Sequence, residues 1–149
     1  MNDVLNTPLF AVFTVVLVLE TLKTLILGTA TVLTRGKLRI FNNQEDADWL
    51  GGEAVEIDHP DAARVFRAHR NNLENLLPFF VAGWLYLSSG ASPFVGMAYF
   101  VAFFIGRSLH TYAYLGKRAM MRRNAYSLAW LAIVAMSLHA GFVVVRVAF

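Results

Sequence analysis

The feature that most constrains this chain is a series of long, nearly uninterrupted apolar blocks. The first block runs from Pro8 to Leu33, and its only charged residues are Glu20 and Lys23. At a helical rise of 1.5 Å per residue it reaches about 39 Å, which exceeds the roughly 30 Å hydrocarbon core of a bilayer. The sequence therefore predicts that lipid surrounds this helix.

The overall composition agrees with a membrane protein. Hydrophobic residues make up 57% of the chain and charged residues 15%, whereas soluble domains have about 45–50% and about 25%. The 149 residues contain no cysteine, which excludes disulfides, thiolate metal sites and a nucleophilic thiol of the protein's own. The net charge of +3 does not form a solvated basic stripe, so we expect no nucleic-acid partner.

Three further apolar blocks predict three more membrane spans. The second helix begins near Pro60, with Asp58 or Asp61 available as its cap, and Pro78 inside it predicts a kink. We therefore predict an all-α, integral membrane four-helix bundle. Its expected spans are about 8–33, 61–88, 93–115 and 126–149, with a loop at about 34–60, in a single domain.

Basic residues predict the orientation of these spans. Ten of the 13 Lys and Arg residues flank the first and third connections. They are Arg35, Lys37, Arg39, Arg64, Arg67, Arg70, Lys117, Arg118, Arg122 and Arg123. By the positive-inside rule both connections face the cytoplasm. The absence of cysteine and the short stretch before Pro8 favour a bacterial inner membrane over the endoplasmic reticulum.

Polar residues form stripes on three of the predicted helices, toward the cytoplasmic end. The stripe on the second helix is Arg67, Arg70, Asn71 and Glu74. The stripe on the third helix is Arg107, His110, Thr111 and Tyr114. In each, the spacing of i, i+3, i+4 and i+7 puts the side chains on one face. The fourth helix opens with Arg122, Arg123, Tyr126 and Ser127.

Each stripe alone also has an ordinary structural interpretation. Arg70 and Glu74 fit a solvated i,i+4 pair, Arg107 could snorkel, and Arg122 could anchor lipid headgroups. Their convergence, joined by Arg35 at the end of the first helix, favours one cationic cavity for an anionic, hydrogen-bonding small molecule. We expect no metal, because the histidines have no partner at a recognised ligand spacing.

The densest motifs resemble the MAPEG family, the membrane-associated proteins in eicosanoid and glutathione metabolism. They are the segment from Arg67 to Glu74, Gly106-Arg107, the segment from His110 to Lys117, and Arg122. The similarity is greatest to the branch of that family with glutathione transferases and prostaglandin E synthases, and it covers nearly the whole chain.

The resemblance implies a homotrimer that binds glutathione between neighbouring subunits near the cytoplasmic face. The implied glutathione contacts are Arg35, Arg67, Arg70, Asn71, Glu74, His110, Tyr114, Tyr126 and Ser127. The implied catalytic residues are Arg122, at the glutathione sulfur, Asp46, a loop acid that interacts with this arginine, and Tyr126. Arg123 stands where the prostaglandin synthase has serine, a departure that bears on isomerase chemistry.

The resulting prediction is a glutathione transferase with a possible peroxidase side activity. A free thiol has a pKa of about 8.5, and a cation beside the sulfur favours the nucleophilic thiolate. Lipophilic electrophiles and lipid hydroperoxides would reach this thiolate through the membrane lipid. The alternatives are a prostaglandin-E-synthase-like isomerase, a non-catalytic lipid-binding family member, and a small four-helix exporter using Glu20. Against the exporter, Lys23 at i+3 would neutralise Glu20.

Overall fold

The computed structural model of the protein describes residues 7–149, which form five helices and one pair of short strands. Four helices are long, and the fifth is a short helix in the connection between the first two long ones. The elements are α1 Pro8–Leu38, β1 Ile40–Phe41, α2 Gln44–Leu50, β2 Glu53–Ala54, α3 Pro60–Ser88, α4 Pro93–Leu115 and α5 Ala119–Ala148. The predicted all-α class is confirmed.

Three of the long helices, α1, α4 and α5, are long and apolar enough to cross a membrane. The remaining long helix, α3, has 29 residues, but its first half is rich in arginine and asparagine. The fourth membrane span therefore stays a prediction. We call the end of the bundle that carries residues 39–59 the loop end.

Two helices extend beyond the spans expected from the apolar blocks. α1 continues to Leu38 instead of ending near residue 33, and α5 begins at Ala119 instead of near residue 126. The expected bounds followed the change in hydropathy, whereas a helical backbone can continue from lipid into water. Arg122, which the sequence places at the opening of the fourth helix, lies on the first turns of α5.

The start of α3 differs from the prediction in its cap. Neither Asp58 nor Asp61 caps the helix. The N-cap residue is His59, whose Nδ1 accepts a hydrogen bond from the Asp61 backbone N–H at 3.3 Å. The carboxylate of Asp58 accepts two hydrogen bonds from the Arg35 side chain, at 3.0 and 2.5 Å, and so ties α1 to the start of α3.

The connection between α1 and α3 is a small folded unit that the sequence prediction treats as a loop. β1 and β2 pair in parallel, with the Glu53 N–H donating to the Arg39 carbonyl at 2.9 Å. Between them α2 has Glu45 and Asp46 in its first turn, where carboxylates interact favourably with the helix dipole. Gly51 ends α2 with a φ of 69°, a left-handed conformation that glycine adopts without strain.

The part of the bundle farther from the loop end is held by an aromatic cluster, formed by Phe13, Phe79, Phe100 and Phe103 of α1, α3 and α4. The rings of Phe79 and Phe103 stack at 4.0 Å between centroids. Phe100 meets Phe79 edge-on at 5.9 Å and lies 5.3 Å from Phe13. This cluster joins three helices by ring packing alone.

Small residues allow α4 and α5 to approach closely beside the polar residues of α4. A Cβ atom at Gly106 would lie 2.8 Å from the Ala129 backbone nitrogen and 3.0 Å from the Ala125 carbonyl oxygen. Only glycine fits such a helix crossing without displacing backbone. The crossing therefore brings the turn with His110 against α5, where its ring lies 6.1 Å from that of Tyr126.

Candidate functional site

A network of polar side chains lies between α1, α3 and α4, on the loop-end side of the aromatic cluster. We call Glu20, Lys23, Thr24, Asn72 and Arg107 the buried polar network. All are fully or nearly fully buried apart from Lys23, which retains 19% side-chain exposure. Polar groups in such a position normally have a functional reason, because burial without partners costs free energy.

Arg107 is the centre of this network and is completely buried. Its Nη1 donates to Asn71 Oδ1 at 3.0 Å, and its Nη2 donates to Asn72 Oδ1 at 3.3 Å. Asn72 Nδ2 in turn donates to Thr24 Oγ1 at 2.7 Å. The guanidinium thus holds two adjacent carboxamides of α3, one of which also reaches α1.

Glu20, the residue behind the exporter alternative, is buried and paired. Its Oε1 accepts a hydrogen bond from Lys23 Nζ at 2.6 Å, as the neutralising interpretation predicts. Hydrogen bonds through Thr24 and Asn72 connect the same turn of α1 to the buried Arg107. Glu20 is therefore part of a three-charge arrangement in which cations outnumber the carboxylate.

A second group, which we call the His110 cluster, lies toward the loop end from Arg107. It consists of His110 and Tyr114 on α4 with Arg122 and Tyr126 on α5. The Arg122 guanidinium lies over the Tyr114 ring, 4.6 Å from its centroid. The His110 ring is 5.5 Å from the Tyr114 ring and 6.1 Å from the Tyr126 ring. The structure therefore brings these four predicted site residues together within one protomer.

Unpartnered polar atoms concentrate on the turn of α4 beside this cluster. Within residues 7–149, the buried side-chain nitrogen and oxygen atoms without a hydrogen-bond partner are Arg107 Nε, His110 Nδ1 and Thr111 Oγ1. Buried polar groups in folded proteins are nearly always satisfied. Three exceptions within five residues of one helix distinguish this turn of α4 as one whose polar atoms are not all satisfied within the protomer.

Two other predicted residues, Arg35 and Asp46, lie at the loop end and line one small cavity of about 190 Å³. Arg35 is bound by Asp58 and lies 5.5 Å from the ring centroid of Phe66 on α3. Asp46 is exposed and accepts a hydrogen bond from Asn43 Nδ2 at 3.1 Å. In the single protomer, neither residue contacts the His110 cluster through an ion pair, a hydrogen bond or a ring contact.

The remaining predicted contacts lie on the outer surface of the protomer. Arg70 Nε donates to Glu74 Oε1 at 2.9 Å, but these side chains are 70% and 54% exposed, as expected for an ordinary i,i+4 pair. Arg67 and Ser127 are also exposed. A single protomer therefore does not assemble the complete predicted set.

The sequence prediction leaves Asn72 out of the site, and it places Arg107 on a polar stripe without a ligand role. A signal for Asn72 was available in the spacing of α3. Asn72 lies four residues after Ala68 and seven before Phe79, so it shares their buried face. A carboxamide on an apolar helix face requires a buried partner, and that partner is Arg107.

Comparison with known proteins gives a consistent result over most of the chain. The sequence model of the MAPEG family matches residues 10–142. Prostaglandin E synthase from Bos taurus is 38% identical over 137 residues, which cover 91% of this chain and 90% of that protein. The Homo sapiens prostaglandin E synthase is 38% identical over 136 residues, with the same coverage.

A second kind of relative is microsomal glutathione S-transferase 1 from Homo sapiens, 34% identical over 119 residues and covering 77% of each chain. The region that the family model matches, residues 10–142, contains all four long helices apart from a few terminal residues. It therefore includes the buried polar network and the His110 cluster. With three helices apolar enough to cross a bilayer, these matches show that the chain is an integral membrane protein and belongs to the MAPEG family.

Proposed function

We propose that this protein is a membrane-bound glutathione transferase that holds glutathione as its thiolate and delivers it to lipophilic electrophiles or lipid hydroperoxides. The family relatives named glutathione S-transferase and prostaglandin E synthase support an enzyme of this kind. The observation that carries the proposal is the position of Arg122 above Tyr114, beside the unpartnered atoms of α4.

The residues at this position fit the chemistry of glutathione. The tripeptide has two carboxylates, one ammonium group, peptide groups and one thiol. Unpartnered donors and acceptors on α4 suit its peptide and carboxylate groups. The cation of Arg122 suits the sulfur, since a guanidinium beside a thiol stabilises the thiolate and does not lose its own proton. Tyr126 is placed on the same side of α5 to donate a hydrogen bond to that anion.

We further propose that the functional unit is a homotrimer. Beyond the exposed Arg70–Glu74 pair, the side chains of Arg67, Arg70, Glu74 and Ser127 retain hydrogen-bonding capacity that faces away from the protomer. A neighbouring subunit that covered them would complete the site, and Arg35 and Asp46 of that neighbour would come close to Arg122. The cytoplasmic placement of the loop end follows from its excess of Lys and Arg.

The proposed conjugation forms a carbon–sulfur bond. Glutathione first loses its thiol proton to solvent, and the thiolate then attacks the electrophilic carbon of an aryl halide, from which halide departs. With a hydroperoxide, the thiolate attacks the terminal oxygen and the O–O bond breaks, so that the leaving alkoxide takes a proton from solvent to become the alcohol. A second glutathione then reduces the resulting sulfenic acid to give the disulfide and water. In both reactions the electrophile is apolar and partitions into the bilayer.

A prostaglandin-E-synthase-like isomerase is the second candidate, and one observation favours it. The prostaglandin E synthases from cattle and human match a larger share of the chain, at higher identity, than the glutathione transferase does. Arg123, exposed after Arg122, is the residue that bears on this choice. Glutathione-dependent isomerisation of an endoperoxide, assayed beside conjugation of an aryl halide, distinguishes the two activities.

The proposal is tested with Arg122→Leu and with Arg118→Leu as the matched control. Both arginines lie over a tyrosine ring, Arg118 at 4.9 Å from Tyr112 and Arg122 at 4.6 Å from Tyr114, but only Arg122 belongs to the His110 cluster. We expect Arg122→Leu to lower conjugation at pH 7 by about 8- to 25-fold, because a thiol pKa one to two units below 8.5 raises the thiolate fraction at that pH by about this factor. Arg118→Leu should stay within about twofold. Equal rates in both variants would show that Arg122 does not activate the sulfur.

A further inference from the structure

The buried carboxylate of Glu20 has a charge environment that the proposed reaction does not explain. Glu20 is 1% exposed and is the only carboxylate among the buried residues of the described chain, 7–149. Two cations lie in the same buried network: Lys23, whose Nζ donates to the Glu20 Oε1, and the fully buried Arg107, which is connected to the Glu20 turn through Asn72 and Thr24. A lone i,i+3 pair would need only one of these cations.

A continuous set of hydrogen bonds joins the Glu20 turn to the proposed glutathione site. Thr24 Oγ1 donates to the Glu20 carbonyl oxygen at 2.8 Å, and Asn72 Nδ2 donates to Thr24 Oγ1 at 2.7 Å. Arg107 then donates to the side-chain oxygens of both Asn72 and Asn71. Asn71 is one of the expected glutathione contacts, so the network ends at a residue of the proposed site.

The hydrogen bond from Arg107 to Asn71 Oδ1 determines which way the Asn71 carboxamide faces. A guanidinium has only donors, so the oxygen of the carboxamide must point toward Arg107. The Nδ2 group of Asn71 is then left to donate, which suits a carboxylate or a peptide carbonyl of glutathione. If Arg107 moved, the carboxamide could turn over and present an acceptor to these acceptor groups instead.

We propose that Glu20 is a positioning residue for glutathione: as the shared counter-ion of Lys23 and Arg107, it keeps the guanidinium against Asn71 and so orients the Asn71 carboxamide toward the ligand. This inference rests on the proposed function. It assigns to α1 a role in glutathione affinity, although Glu20 itself does not touch the ligand. Catalysis at the sulfur belongs to Arg122 and is not expected to depend on Glu20.

The first experiment compares the glutathione Kd, by calorimetry, and the KM and kcat for conjugation in purified wild-type protein and three α1 variants. Glu20→Gln is expected to raise Kd and KM about tenfold with kcat within twofold. Glu20→Asp, which keeps the charge, should recover most of the affinity. Thr21→Val is the control, because this neighbouring hydroxyl is exposed and bonds only to the Leu17 carbonyl of its own helix.

The outcomes separate the two proposals. Wild-type protein that does not bind glutathione overturns the proposed function and this inference together. Wild-type protein that binds glutathione, with a Glu20→Gln variant of equal affinity, overturns the inference alone. A fall in kcat without a change in KM also overturns it, because Glu20 would then act on the sulfur chemistry and not on binding.

A double variant tests whether Arg107 or only Lys23 needs the carboxylate. In Glu20→Gln/Lys23→Met the i,i+3 pair is removed as a unit, but Arg107 still lacks its counter-ion, so affinity should stay low. Recovery of wild-type affinity would show that Glu20 serves Lys23 alone. Should Glu20→Gln not yield folded protein, Glu20→Gln/Arg107→Gln is expected to restore folding and Glu20→Gln/Lys23→Met is not. The opposite result overturns the inference.

Discussion

Two layers of the same bundle, both buried apart from the partly exposed Lys23, are built from different chemistry. The aromatic cluster joins α1, α3 and α4 through ring contacts such as the stacked pair Phe79–Phe103. The buried polar network joins the same three helices through directional bonds around Arg107. The ring contacts need no partner outside the protomer, whereas the polar face of α4 leaves three buried atoms, on Arg107, His110 and Thr111, without a hydrogen-bond partner.

This difference indicates a division of labour between the two layers. Apolar side chains could hold the helices together in both layers at a lower cost in free energy, because removing charges from water is unfavourable. A polar layer that is only partly satisfied therefore points to a ligand and not to stability. We expect substitutions in the aromatic cluster to change stability first, and those in the polar layer to change glutathione binding first.

The largest expected effect on stability comes from Phe79→Ala. Phe79 is completely buried and contacts three other rings of the cluster, so the cavity should cost about 3 kcal/mol of unfolding free energy. The glutathione Kd of the protein that remains folded should be unchanged. Detergent-induced unfolding and calorimetry measure the two quantities. An affinity loss as large as the stability loss would show that the layers are not separate.

An intermediate effect is expected from Asn72→Leu, which changes the polar layer. The substitution leaves the Thr24 hydroxyl and one Arg107 nitrogen without their carboxamide partner, at a cost of about 1–2 kcal/mol. Because Arg107 also holds Asn71, glutathione affinity should fall by several-fold as well. Ser137→Ala is the control, since its hydroxyl is exposed and bonds only within α5. Unchanged glutathione affinity in Asn72→Leu would separate the network from the site.

The smallest effect, and the most diagnostic in sign, is expected from Thr111→Val. Its hydroxyl is buried without a partner, so replacing it should leave stability unchanged or raise it by up to about 1 kcal/mol. If that hydroxyl serves the ligand, glutathione should bind about fivefold more weakly. Thermal unfolding with and without glutathione gives both values. A loss of stability in the ligand-free protein would show that Thr111 is structural.

The sequence was sufficient to predict most of the helical architecture. The bounds of α4 agree with the prediction because Pro93 and Gly116 mark its ends, and α3 was expected within one residue at its start. The early start of α5 was not predicted, because hydropathy reports where lipid ends and not where a helix ends. α2 and the strands were missed because each is only a few residues long. The strands are held by Glu53 and Val55, whose N–H groups donate to the carbonyls of Arg39 and Phe41.

For the candidate site, the sequence placed polar residues on faces but could not assign their partners. The stripe spacing put His110 and Tyr114 on one side of α4, and the structure places Arg122 and Tyr126 of α5 beside them. The spacing of residues along one helix does not show which neighbouring helix its polar face contacts. The hydrogen bond between Arg107 of α4 and Asn72 of α3 was therefore not predicted. The ligand roles of Arg67, Arg70, Glu74 and Ser127 stay predictions, because they depend on a neighbouring subunit.

The most direct test of the central claim is the titration of glutathione bound to the wild-type protein, followed by thiolate absorbance in the ultraviolet. With saturating protein, the thiol pKa should lie one to two units below the roughly 8.5 of a free thiol, and Arg122→Leu should return it toward that value. A bound glutathione that titrates like the free thiol in both proteins would contradict the account.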